Sequence, residues 1–138
     1  MPNLQRTPLN PEGAPAPLGL YSQAMKVSSG SLLYVAGQVG IDADGNLAEP
    51  GDIRAQTRQT FKNIGDILAG AGAGFSNVVE FTTYLVGKEN IEPYIAARTE
   101  IYPGLFPDAD YPPNTLLVIS GLVKEEFLLE IKCVAALP

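Results

Sequence analysis

The last third of the chain, residues 111–135, constrains the fold more than any other part of the sequence. It contains two apolar runs, residues 115–119 and 127–135, joined by a short connector that carries charged residues. Short apolar runs of this kind, bounded by turn-forming residues, are typical of buried β-strands. The second run carries Glu130 in its middle, and a carboxylate is rarely buried without a partner or a purpose. The sequence therefore predicts two C-terminal strands and makes Glu130 the first candidate for a functional residue.

The last strand is predicted to have two different faces. Because side chains alternate along a strand, Glu130 and Lys132 share one face, which is mixed in character, as expected where a sheet meets a cleft or another subunit. Glu130 is then either half of an ion pair with Lys132 or a functional carboxylate. Cys133 is predicted to be a small core residue rather than a nucleophile. The predicted core face consists of Leu129, Ile131, Cys133 and Ala135.

The rest of the chain predicts two helices and further strands. The first 20 residues contain five prolines and two glycines without periodicity, and they predict an extended arm. Residues 22–27 and 32–38 are predicted as strands that form a hairpin. Asp52 is a good N-cap for a first helix, which the glycines after Leu68 close. After a strand at 78–86, a second helix is predicted to begin at Asn90 and to end before Pro103.

The resulting order, β-β-α-β-α-β-β, predicts an α+β fold in which two helices cover one face of a mixed sheet. The 138 residues suit a single domain, 1–138, of which residues 1–20 are the extended arm. Within the second helix, Arg98 falls on the apolar face. It is either a side chain that snorkels at the edge of that face or a cation held at an interface or pocket.

Composition excludes several classes of function. The chain has no histidine and one cysteine, which excludes a Ser-His-Asp triad, a Cys-His pair and a cysteine-based zinc site. The net charge is −6 and the nine basic residues are scattered, which disfavours nonspecific binding to nucleic acid or to an anionic membrane surface. No apolar stretch reaches transmembrane length and no secretory signal is recognisable, so a cytoplasmic location is expected.

Five segments, taken together in this order, resemble the RidA family, also called YjgF/YER057c/UK114. The resemblance covers nearly the whole chain after the arm. The segments are residues 20–24 (LYSQA), 35–38 (VAGQ), 52–63 (DIRAQTRQTFKN), 78–79 (VV) and 129–135 (LEIKCVA).

This resemblance implies a chorismate-mutase-like α+β fold and a homotrimer with ligand clefts between neighbouring subunits. It implies hydrolysis of reactive enamines and imines, such as 2-aminoacrylate, to 2-oxo acids and ammonia, with no cofactor and no metal. Older names in the family are translation inhibitor and endoribonuclease. A ribonuclease is disfavoured here, because the chain is acidic and lacks both histidine and a basic groove.

The resemblance also implies roles for individual residues. Glu130 matches the glutamate that positions the attacking water, Tyr21 matches a tyrosine of the cleft, and Gly37 matches a glycine whose backbone lines the pocket. The family's carboxylate-binding arginine lies in a P-x-R-S/T motif, which reads Pro-Pro-Asn-Thr at residues 112–115. Asn114 therefore replaces the arginine, and Thr115 follows it as a further hydroxyl contact.

The replacement leaves several interpretations open, because an amide does not supply the charge that offsets desolvation of a carboxylate. In one interpretation, Arg98 replaces the missing cation from another direction. In the other, the substrate is neutral and Asn114 binds a carbonyl or amino group of it. The sequence supports two functions: a small-molecule deaminase that uses Glu130, and a non-catalytic ligand-binding or chaperone-like trimer on the same scaffold.

Overall fold

The computed structural model describes residues 4–138 and confirms the predicted α+β class. The described residues form six strands and two α-helices, and short 3₁₀ turns precede β4 and α2. The elements are β1 (Gln5–Leu9), β2 (Ala24–Ser28), β3 (Ser31–Gln38), α1 (Ile53–Gly70), β4 (Val78–Val86), α2 (Ile91–Leu105), β5 (Asn114–Ile119) and β6 (Leu129–Leu137).

The strands form a four-stranded mixed sheet and a separate two-stranded ribbon. The four-stranded sheet has the order β3-β6-β4-β5, in which β4 and β5 are parallel and the other pairs are antiparallel. The strands β6 and β4 are therefore central, while β3 and β5 are the edges. The ribbon consists of β1 and β2 in antiparallel register. The helix-covered face of the four-stranded sheet is buried, and its opposite face is called the open face below.

Two predictions about the N-terminal part are wrong. The predicted hairpin between residues 22–27 and 32–38 does not form. The strand β2 pairs with β1 instead, and β3 pairs with β6. The predicted arm contains the paired strand β1; its residues 1–3 lie outside the described residues. β1 is short and contains Pro8, so its sequence gives no strand pattern. Tertiary contacts hold it instead: the Arg6 guanidinium forms a 2.7 Å ion pair with Asp110 and donates a 2.6 Å hydrogen bond to the Val78 carbonyl.

Helix α1 follows its sequence pattern closely. The Asp52 carboxylate accepts a 3.1 Å hydrogen bond from the Ala55 amide and caps the helix, as predicted. The buried face includes Gln56, whose side chain makes two hydrogen bonds to the segment just before β6. It donates one to the Glu126 carbonyl and accepts one from the Leu128 amide. The apolar stripe on this face consists of Ile53, Thr57, Phe61, Ile64 and Leu68.

Helix α2 is longer than predicted, because it continues through Pro103 to Leu105. Proline usually ends a helix, since it lacks an amide hydrogen and clashes with the preceding turn. Here Tyr102 and Phe106 flank the proline and pack against each other, with ring centroids 5.0 Å apart. The Phe106 amide also donates a 2.8 Å hydrogen bond to the Tyr102 carbonyl, which completes the turn. The packing of these aromatic rings overrides the local preference.

The core lies between the helices and the buried face of the sheet. Phe81 of β4 lies at its centre, with ring centroids 5.9 Å from Phe61, 6.4 Å from Tyr102 and 6.3 Å from Phe106. The pairs with Phe61 and Phe106 are edge-to-face, an arrangement that adds to the free energy gained from burial alone. The predicted core face of β6 is buried throughout: Leu129, Ile131, Cys133 and Ala135.

Candidate functional site

Glu130 lies on the open face of the central strand β6 and packs against Gly37 of β3. Gly37 is part of a register shift between β3 and β6, where the strand pairing is irregular. A Cβ atom added to Gly37 would lie 2.6 Å from Cδ and 2.8 Å from Cγ of Glu130. No larger residue fits at position 37 with Glu130 in this position, so the glycine makes room for the carboxylate. The structure thus brings these two predicted site residues together.

The alternative of an ion pair between Glu130 and Lys132 is not observed among residues 4–138. The ion pairs of the described residues join Arg6 to Asp110, Arg54 to Glu100 and Lys62 to Asp66. The half-buried carboxylate of Glu130 also has no hydrogen bond to another described side chain. It is therefore available to a water molecule or a ligand.

Arg98 is buried in helix α2, with 4% of its surface exposed, so it does not snorkel. Its guanidinium carbon lies 5.6 Å from the ring centroid of Tyr94 and 5.7 Å from that of Tyr102. Gly19 lies close to the end of this side chain, because a Cβ atom added to Gly19 would lie 3.2 Å from Nη2 of Arg98. The interpretation of Arg98 as a snorkelling side chain is therefore wrong, whereas a cation held at an interface or pocket stays a prediction.

The charge of Arg98 is only partly compensated. Among residues 4–138 no carboxylate forms an ion pair with it, and its Nε atom is buried without a hydrogen-bond partner. Residues 1–3 contain no acidic side chain. A cation–π contact contributes about 0.5–2 kcal/mol, whereas desolvation of an ion in a protein costs several kcal/mol. Two such contacts therefore leave this cation short of stabilisation, which an anion would supply.

Asn114 is connected to the surroundings of Arg98 through Thr83. The Thr83 hydroxyl donates a 2.8 Å hydrogen bond to Oδ1 of Asn114, and it lies 3.5 Å from the Tyr94 hydroxyl. Burial raises the pKa of Tyr94, while Thr83 and Arg98 partly offset this effect, so Tyr94 is a neutral phenol and a donor. The amide nitrogen of Asn114 has no hydrogen bond within the described residues. Side chains from β4, α2 and the start of β5 thus form one polar cluster with two unused donors.

The two groups of residues do not meet within one chain. Asn114 pairs with Phe81 on β4 and faces the helices, as its bond to Thr83 requires. Glu130 pairs with Tyr84, which alternates with Thr83, and so it lies on the opposite face. The strand β4 also separates β5 from β6. The pair Glu130 and Gly37 and the pair Asn114 and Arg98 are therefore two candidate half-sites, and they lie on opposite faces of the sheet.

The other two predicted site residues divide between these faces. Tyr21 is half-buried, and its hydroxyl accepts a 3.1 Å hydrogen bond from the Leu18 amide. This bond closes the short loop that carries Gly19, so Tyr21 shapes the backbone beside Arg98. Thr115 is exposed, pairs with Thr82, and lies on the open face, away from Asn114.

Sequence reasoning missed Tyr94 and Thr83. The sequence pattern is typical of core residues in both cases. Tyr94 belongs to the apolar stripe of α2, and Thr83 belongs to the buried face of β4. The available signal was the spacing of Tyr94 and Arg98, since residues four apart lie on the same side of a helix. Cys133 behaves as predicted: it is buried, and burial raises the pKa of its thiol to about 12.

Two further observations limit the chemistry of the described part of the chain. Among residues 4–138, no group of three or more His, Cys, Asp or Glu side chains is arranged to hold a metal ion. Neither helix of that part is long and apolar enough to cross a membrane.

Comparison with known proteins places this geometry in a family. The chain matches the family described as Endoribonuclease L-PSP over residues 11–137. A RutC family protein of Pyrococcus horikoshii is 37% identical over 124 residues, which cover 90% of this chain and 92% of that protein. A 2-iminobutanoate/2-iminopropanoate deaminase of Rattus norvegicus is 32% identical over 135 residues, which cover 98% of this chain and 93% of that protein.

A solved structure shows the same architecture. The crystal structure of YyfB from Yersinia pestis, a Rid-family protein described as of unknown function, matches with a TM-score of 0.84 at 32% identity. The match covers 96% of this chain and 98% of that chain. The sheet order, the helices on one face and these similarities define an α+β domain of the Rid type. The chain belongs to the Endoribonuclease L-PSP family, which includes the RidA and RutC proteins.

Proposed function

We propose that this protein hydrolyses small reactive imines, and the enamines that tautomerise to them, with Glu130 as the catalytic residue. The observation that carries the proposal is the Glu130 carboxylate held against Gly37 without an ion-pair partner among the described residues. The similarity to proteins named 2-iminobutanoate/2-iminopropanoate deaminase supports imines as the substrate class.

The proposed reaction needs one water molecule and one proton-accepting group. Glu130 accepts a proton from the water as its oxygen attacks the carbon of the C=N bond, which gives a carbinolamine. Glu130 gives this proton to the nitrogen, a second proton from solvent makes the amino group a leaving group, and the C–N bond breaks so that ammonia leaves with the electron pair. Deprotonation of the hydroxyl gives the carbonyl product, so an imine and water become a 2-oxo compound and ammonia. A positioned carboxylate of this kind typically accelerates proton transfer by about 10²–10⁴-fold.

We further propose that the two half-sites come together between copies of the chain in a homotrimer. Within one chain, Glu130 and Asn114 lie on opposite faces of the sheet, so a second copy is the simplest way to place them around one ligand. The open face also exposes apolar side chains, including Tyr34, which is 75% exposed. Exposed apolar surface of this kind is typical of an interface between subunits.

The proposal is tested by generating 2-aminoacrylate in situ with a dehydratase in the presence of the purified protein. Release of the 2-oxo acid and of ammonia is expected to exceed the rate in buffer and to scale with protein concentration. A rate equal to that of buffer at every protein concentration would contradict the deaminase assignment.

Gly37→Ala is expected to lower turnover by about 10- to 100-fold, because the new Cβ forces the Glu130 carboxylate away from its position. The fold is expected to survive, since the crowded atoms belong to a side chain that rotates. Turnover is compared with that of Gly121→Ala, where an added Cβ meets no atom within 4 Å. Equal activity of the two variants would show that the position of Glu130 against Gly37 is not needed.

A second candidate function is ligand binding without turnover. Asn114 favours it, because the resemblance leads one to expect an arginine at this position and an amide carries no charge. In that case a 2-oxo acid raises the melting temperature while no imine is hydrolysed. Turnover that depends on Glu130 would exclude this alternative.

A further inference from the structure

We propose that Arg98, together with the amide nitrogen of Asn114, forms a binding site for the carboxylate of a small organic acid. In this site the cation is Arg98 of helix α2. The start of β5, where the resemblance leads one to expect an arginine, carries the neutral Asn114. The proposal rests on the proposed function only in taking the carboxylate to belong to the substrate or product.

The Arg98 guanidinium lacks both an ion-pair partner and a partner for Nε among the described residues. It is buried between two tyrosine rings, no carboxylate of residues 4–138 pairs with it, and its Nε atom lacks a hydrogen-bond partner. A planar guanidinium is well suited to bind a carboxylate through two parallel hydrogen bonds. A ligand carboxylate would satisfy both the charge and the unused donor.

A polar cluster joins Arg98 to Asn114 through Tyr94 and Thr83. The Tyr94 hydroxyl lies 3.5 Å from Thr83, and Thr83 donates to Oδ1 of Asn114, which turns the amide nitrogen of Asn114 away from Thr83. That nitrogen has no partner among the described residues. It is a second donor for the same anion, a neutral one that fixes orientation while Arg98 supplies the charge.

A short loop at residues 18–21 lies beside the Arg98 guanidinium. Gly19 covers Nη2 of Arg98 with backbone alone, and the adjoining Leu18 is 97% exposed. Gly19 has no side chain that would hold the loop at residues 18–21 against Arg98. A shift of this loop opens a path to the guanidinium. A side chain at position 19 would crowd Nη2, since a Cβ there lies only 3.2 Å away.

The test compares the binding of pyruvate with that of methyl pyruvate by isothermal titration calorimetry. Wild type is expected to bind pyruvate more tightly than the uncharged ester. Arg98→Met is expected to raise the Kd for pyruvate by about 10- to 100-fold, the range of a charge-assisted hydrogen-bonded pair. The Kd for the ester is expected to stay the same. Arg58→Met, which removes an exposed arginine of α1 without an ion pair among the described residues, is the matched control and is expected to bind both ligands as wild type does.

Thermal unfolding without ligand separates binding from a purely structural role. Replacing a buried, unpaired cation with an apolar side chain is often neutral or stabilising, so Arg98→Met is expected to melt no lower than wild type. Should Arg98→Met fail to fold, two other variants carry the test. Arg98→Lys keeps the charge but loses the paired hydrogen bonds, and Gly19→Val crowds Nη2; both are expected to weaken pyruvate binding.

Three results would overturn the proposal. The first is a pyruvate Kd within twofold of wild type in a folded Arg98 variant. The second is equal affinity of the wild type for pyruvate and its ester. The third is a changed oligomeric state in Arg98→Met with unchanged pyruvate binding, which would assign Arg98 to a carboxylate of a neighbouring copy. Arg98-dependent pyruvate binding without imine hydrolysis would refute the proposed function alone, and hydrolysis with a KM independent of Arg98 would refute this site alone.

Discussion

Glu130→Gln is expected to lower the rate of 2-aminoacrylate hydrolysis by about 10²–10⁴-fold, the usual contribution of a positioned general base. The amide keeps the size of the side chain but accepts no proton from the attacking water. The fold is expected to be unchanged, because Glu130 has no ion pair or hydrogen bond to another side chain within residues 4–138 that the substitution would break.

The measurement is the initial rate of ammonia release at saturating substrate, with circular dichroism and size-exclusion chromatography on the same samples. Glu125→Gln is the matched control, since Glu125 is exposed in the connector before β6 and makes no ion pair among the described residues. If Glu130→Gln and Glu125→Gln both retain more than half of the wild-type rate, Glu130 is not the general base.

Phe81→Ala is expected to have the largest effect on stability, lowering the free energy of unfolding by about 3–5 kcal/mol. Phe81 is 1% exposed and packs against the rings of Phe61, Tyr102 and Phe106, so its removal leaves a cavity that strands and helices do not fill. For a chain of this size the melting temperature is expected to fall by about 10 °C or more.

This loss is measured by urea unfolding at one protein concentration, because the proposed homotrimer would make the apparent stability depend on concentration. Val123→Ala is the control, since Val123 is 88% exposed and its truncation is expected to change the free energy of unfolding by less than about 0.5 kcal/mol. A loss below about 1 kcal/mol in Phe81→Ala would contradict the central position of this ring in the core.

Local patterns predicted much of the fold. The alternation around Glu130 gave the two faces of β6, and Asp52 marked the start of α1, because both signals depend only on neighbouring residues. The strand β1 and the end of α2 could not be predicted in this way. Arg6 holds β1 through contacts about 70 and 100 residues away in sequence, and aromatic packing around Pro103 prolongs α2.

The candidate site was predictable in its residues but not in their arrangement. The sequence singled out Glu130, Gly37, Arg98 and Asn114, and the structure joins the first two and connects the last two through Thr83 and Tyr94. That the two groups lie on opposite faces follows from strand order, which periodicity does not reveal. The burial of Arg98 could not be predicted either. An arginine in an apolar stripe gives the same sequence pattern whether its side chain snorkels to solvent or is enclosed.

Subunit complementation tests most directly whether Glu130 and Arg98 of different copies form one active site. Glu130→Gln and Arg98→Met are each expected to be poorly active, but they remove different halves of a site that we propose to lie between two copies. When the two variants are unfolded together in equal amounts and refolded as mixed assemblies, about a quarter of the interfaces should combine an intact Glu130 with an intact Arg98. Ammonia release is expected to recover to about a quarter of the wild-type rate. Mixed assemblies no more active than the separate variants would contradict a site shared between copies.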